Sequence, residues 1–151
     1  MQKITTFLTF DGRVEEAVNL YTSVFKGSKV VSSMKSGDGS MMTATFELAG
    51  QTFIALNGGP SFTFAQGISL FVGCETQPEI DELWEKLSEG GSEGRCGWLK
   101  DKFGVSWQIV PPILGALLGD KDPARSSRAM KAMMGMTKLD IAALKRAADG
   151  E

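Results

Sequence analysis

The chain has 151 residues, of which 42% are hydrophobic and 23% charged, with a formal net charge of −2, two cysteines and no histidine. That length suits one domain of ordinary size or two small lobes sharing a core, and the charge balance excludes a basic field able to hold nucleic acid or an anionic membrane. The lack of histidine excludes Ser-His-Asp and Cys-His nucleophile pairs, an imidazole general base and a His-based metal site.

In chain order, "MQKITTFLTF" has one Lys, no continuous apolar run and no small-residue cleavage site, so it does not read as a signal peptide. No stretch approaches the 18 or so apolar residues of a spanning helix, and a cytoplasmic location is expected. Residues 3–10 are rich in β-branched and aromatic types and read as a strand. Val14, Ala17, Val18, Tyr21, Val24 and Phe25 then share one face of a helix that Gly27 ends. "SKVVSSMKS" and "MMTATFELAG" flank the turn "GDG" as two strands, and "QTFIALN" is a third.

Residues 58–66 hold the Gly and Pro of a crossover linker, after which the pattern restarts. "ISLFVGC" reads as a strand, Thr76 and Glu79 as a capping box with Pro78 in the first turn, and Ile80, Leu83, Trp84 and Leu87 as a helix's apolar face. A short strand near Cys96 and the hairpin "GWLKDKFGVSWQIVP" follow. A constant shift places Leu20 on Leu83, Tyr21 on Trp84, Val24 on Leu87 and Gly27 on Gly90, a repeat that the shared order of elements strengthens. The reading is α+β: two βαβββ modules at 1–57 and 67–111, and a helical tail over 112–151.

Pro111 and Pro112 end the second module, since Pro cannot continue a central strand. In the tail, "ILGALLG" reads as a short turn. Asp122 and Pro123 open a helix carrying Met130, Met133 and Met134, Gly135 breaks it, and Thr137 caps a last helix with Ile141, Leu144 and Ala148 inward. So much apolar surface must dock, on its own module or on the mate of a homodimer, and the sheet edges left open by two βαβββ modules also argue for a dimer.

Gln108 stands between Trp107 and Ile109 in the last strand. An unpaired buried amide costs about 1–3 kcal/mol, so the side chain either faces a wet cavity or partner or hydrogen-bonds a backbone neighbour. Trp107, of opposite parity, is assigned to the core; Trp98 can go either way. Phe62 and Phe64 either cover an apolar ligand or pack against a mate. Cys74 and Cys96 make neither a disulfide framework nor a zinc spacing and read as buried inert thiols.

The two modules, "EEAVNLYTSVFKGSKV", the final hairpin and "AMKAMMGMTKLDIAALKRA" together resemble the PhnB-like family. This is the 3-demethylubiquinone 3-methyltransferase-like branch of the glyoxalase, bleomycin resistance and dioxygenase (vicinal oxygen chelate) superfamily, and the resemblance extends over essentially the whole chain. It implies that the sheets curl into one cup, that related proteins are commonly two-fold dimers, and that a divalent metal sits on the floor. The four metal positions fall near Thr6, at Ala55 or Asn57, at Gly67 and at Gln108. None is a His or an acid, so the metal chemistry is expected to be lost and no cofactor is called for. The implied ligand positions are Gln108, Asn57, Thr6 and Trp98, with Phe62 and Phe64 at the mouth. The methyltransferase description lacks the Gly-rich strand-to-helix turn of a Rossmann-type site. Three readings stand: a metal-free binder of a small, mainly apolar molecule, an enzyme of the family's nominal class, and a dimeric scaffold with an empty cup.

Overall fold

A computed structural model describes residues 2–151. Contacts divide the chain into two compact units, Met1–Thr63 and Phe64–Glu151. The first contains β1 (Thr6–Phe10), α1 (Val14–Val24), β2 (Lys29–Lys35), β3 (Met41–Leu48) and β4 (Gln51–Asn57). The second contains β5 (Leu70–Gly73), α2 (Gln77–Ser88), β6 (Ser92–Glu93), β7 (Trp98–Lys100), β8 (Ser106–Val110), α3 (Pro112–Leu118), α4 (Pro123–Met134) and α5 (Ile141–Asp149). Each unit is thus a βαβββ module, and three helices follow the second. Among the described residues no helix is long and apolar enough to cross a membrane.

The two sheets share one plan. In the first the order is β1-β4-β3-β2, in the second β5-β8-β7-β6, and in both the module's first strand forms an edge and runs parallel to its last. Strand alternation then sorts the side chains. In the first unit Leu8, Phe10, Phe46, Phe53 and Ala55 are buried, and Phe10, Tyr21, Phe46 and Phe53 form a chain of ring contacts 5.5–6.5 Å apart beneath α1. In the second unit Leu99, Trp107 and Ile109 are buried, and the Trp84 indole of α2 donates to Glu93 Oε1 at 2.6 Å on the same face. Trp107 is therefore core, 2% exposed.

The hairpins differ in construction. Ala49 and Gly50, both at positive φ, join β3 to β4 in a two-residue turn. The β7–β8 turn winds around Asp101, 2% exposed, whose carboxylate accepts from the Phe103 and Val105 amides and from Trp107 Nε1 at 2.8–3.0 Å.

The tail docks on its own module. Leu114, Leu117, Ala129, Leu139, Leu144 and Ala148 close around Val110 of β8. Gln77 of α2 donates to the Leu139 carbonyl and accepts from the Ile141 amide, and the Cys96 and Gly97 amides donate to the Met136 and Thr137 carbonyls. Gly97 has φ +86, and a Cβ there would lie 2.9 Å from the Ile109 carbonyl and 3.0 Å from Leu139, so only glycine fits. Two expectations are corrected here. "ILGALLG" is helical from Pro112, because its apolar face is buried and Gly119 rather than Gly115 ends it. The last helix is capped not by Thr137 but by Asp140, whose carboxylate accepts from the Ala143 amide. Of the Met residues, Met133 and Met136 pack on the cluster whereas Met130 and Met134 stay exposed.

Candidate functional site

The faces that the helices do not bury are the places left for chemistry. In the second sheet Gln108 pairs with Phe71 on one side and Trp98 on the other, so these three side chains share that face. Ser106 pairs with Lys100 and joins them. Phe71 is 64% exposed. Gln108 Nε2 donates to Ser69 Oγ at 2.9 Å, and its amide oxygen makes no hydrogen bond with a described residue. Gln108 is thus neither buried under α2 nor satisfied by backbone; it is held by one side chain and leaves an acceptor to spare.

Thr6 and Asn57 are placed otherwise than expected. Thr6 has the parity of Leu8 and Phe10 and so belongs to the helix-facing side of β1. Asn57 closes the start of α1: its Oδ1 accepts from the Val14 amide and its Nδ2 donates to the Met41 carbonyl, both at 3.0 Å. Arg13, at the cap position, makes no side-chain cap bond, so the cap comes from a distant strand end. The ladder position equivalent to Gln108 in the first sheet is Ile54, which pairs with Phe7 and Thr45. Phe62 sits beside Gly58 and Thr9 in the first unit, whereas Phe64 lies against Gly104 of the β7–β8 turn in the second.

A cleft of about 600 Å³ opens in the second unit, lined by Gln66, Arg95, Cys96, Trp98, Lys100 and Ser106 among others. Sequence reasoning found only Trp98 of these. The thiols separate there: Cys96 borders the cleft, while Cys74 is buried and its thiol is pushed up to about 12, first by burial and then by the Glu79 carboxylate. The reading of both as buried therefore holds for Cys74 alone.

A divalent metal does not fit these residues. Of the four implied positions, Thr6 faces the helix side, Ala55 is fully buried, Asn57 is engaged in capping, Gly67 has no side chain and Gln108 offers one neutral oxygen. Among the described residues no group of three or more His, Cys, Asp and Glu side chains is placed to hold a metal ion. Carbonyl-type oxygen without carboxylate or imidazole is a poor exchange for a metal's hydration shell.

Paired βαβββ modules with parallel outer-to-last strand pairing define the glyoxalase/bleomycin resistance class. The fold is similar to that of the fosfomycin resistance protein FosX of Listeria monocytogenes, solved with Mn(II) and sulfate ion (TM-score 0.52, 14% identity, 72% of this chain and 92% of that one). Within that class the chain belongs to the PhnB-like family, whose model, described as 3-demethylubiquinone-9 3-methyltransferase, matches residues 2–110. A putative 3-demethylubiquinone-9 3-methyltransferase, PhnB protein, of Bacillus cereus is 41% identical over 73% of this chain and 99% of its own, with a TM-score of 0.69. A Pseudomonas aeruginosa protein is 22% identical over 74% and 98%, with a TM-score of 0.59. No curated protein matches the chain. The family match stops at residue 110, so the tail, counted above within the resemblance, lies outside it.

Proposed function

We propose that the protein binds a small molecule without a metal on the uncovered face of its second sheet, with Gln108 orienting the ligand and Trp98 and Phe71 supplying its apolar walls. The observation that carries this reading is the placement of Gln108: a polar acceptor at the centre of the face, tethered by Ser69 and flanked on its ladder by two aromatic rings. Convergent polar atoms within an apolar surround are what small-molecule sites present. The reading also includes a homodimer, supported by the sheets' open edges and by β2, all seven residues of which are exposed, Val31 and Met34 included.

Elemental analysis of protein purified without chelator tests metal independence: well under one Zn, Mn, Fe or Ni per chain is expected, and stoichiometric metal surviving dialysis overturns it. Sedimentation at micromolar concentration is expected to give about twice the 16.2 kDa chain mass; a folded monomer removes the dimer.

A further inference from the structure

The cleft beside Trp98 carries charge that the fold does not use. Arg95 and Lys100 both line it, and neither side chain makes a hydrogen bond or ion pair with a described residue. Three of the other four arginines use their side chains, Arg13 with Glu16, Arg125 with Asp120 and Asp149, and Arg128 with the Ala147 and Ala148 carbonyls, and Arg146 lies on α5 away from the cleft lining. The one carboxylate in the lining, Glu93, already accepts from the Trp84 indole.

Ser106 points the same way. It is 4% exposed, it makes no side-chain hydrogen bond, and no buried side-chain polar atom among the described residues is left without a partner. Its hydroxyl must therefore spend its small exposure on the cleft that it lines. Lys100 stands directly opposite it on the ladder, and Trp98 lies two residues before Lys100 on the same face.

We infer that this cleft recognises a planar organic monoanion, an aromatic carboxylate, with the carboxylate between Arg95 and Lys100, the Ser106 hydroxyl donating to it and the aromatic body against the Trp98 ring. Two cations set against one carboxylate leave a single net positive charge, which suits a monoanion better than a phosphate dianion. A cleft of about 600 Å³ lies within the range for such ligands. The inference rests on the small-molecule reading above, with which it shares the Trp98 wall, Gln108 standing beside Trp98 on the ladder but outside the cleft lining, and it adds the ligand's charge and shape.

Naphthoate and its neutral counterpart naphthylmethanol are the probes, with affinity read by calorimetry and occupancy by the rate of Cys96 alkylation with iodoacetamide, Cys74 being buried. Naphthoate is expected to bind at least about tenfold more tightly than the alcohol, as a charge-assisted bond requires, and to slow Cys96 alkylation. Arg95→Gln and Lys100→Gln should each erase that preference while binding the alcohol as before, and Lys86→Gln on α2 should change neither. Far-ultraviolet circular dichroism confirms that the variants fold. Equal binding of the two probes overturns the monoanion and leaves the small-molecule reading standing; binding of neither overturns both. Preference that persists in both variants overturns the assignment to Arg95 and Lys100.

Discussion

At the same ladder positions the first sheet presents Phe7, Ile54 and Thr45, and the second presents Phe71, Gln108 and Trp98. One step along, Glu47 opposite Thr52 becomes Lys100 opposite Ser106. The helix-facing layers meanwhile stay apolar in both, with Leu8 and Ala55 matched by Val72 and Ile109. The repeat thus keeps what close packing demands and varies what water touches. A largely apolar, hydroxyl and acidic face in one module and an amide, indole and ammonium face in the other distinguish two copies of one fold.

The largest test of this difference is in the hairpins. Asp101→Ala removes the acceptor of three donors, one of them on a 2% exposed tryptophan. It should cost about 3 kcal/mol or more in urea unfolding. The first module has no such side chain in its Ala49–Gly50 turn, and a loss under about 1 kcal/mol for Asp101→Ala would show that the turn backbone carries both hairpins.

A middle-sized effect separates the helix starts. Asn57→Ala breaks two part-buried bonds and should cost about 2 kcal/mol. Thr76→Ala breaks one exposed 3.4 Å cap bond and should cost about 1 kcal/mol or less. Equal losses by thermal unfolding would erase the contrast between a long-range and a local cap.

The smallest effect on folding bears most directly on function. Gln108→Ile gives the second sheet the residue of the first. It should leave stability within about 0.5 kcal/mol, since the position is only half-buried, and weaken naphthoate and naphthylmethanol alike by about tenfold, one hydrogen bond's worth. Unchanged affinity for both would place the ligand away from Gln108.

Much of this was legible in the chain itself. Periods of two and 3.6 residues located both modules, and the Thr76 and Asp122 caps stand where their residue types predict. Gln108 and Trp107 fell on opposite faces because alternation along a single strand is a short-range property. The misreadings are long-range. Asn57 looks like a polar strand residue aimed at a cavity, but the group it serves, the Val14 amide, is 43 residues away in sequence. With Asn57 committed to the helix side, its register partner Phe10 follows, and Thr6, of the same parity as Phe10, goes with it. Thr137 and Asp140 are both capping types, and it is Asp140 that immediately precedes the helix start at Ile141, while the Thr137 carbonyl accepts from the Gly97 amide. Arg95 carries no signal in the sequence because single surface cations are ordinary; Lys100 has a readable one, since it alternates with Leu99 on the side of Trp98.

The Cys96 and Gly97 amides are tied to carbonyls of Met136 and Thr137, beyond residue 110 where the family match ends. The segment bordering the cleft is thereby spliced to a part of the chain that the shared family core does not include. Hybrids that exchange this core with a relative's must therefore move positions 96 and 97 together with the tail. A junction drawn at Pro111 would strand two backbone donors and uncover Val110, so in this protein the boundary for exchange lies at the chain's end rather than at the family's.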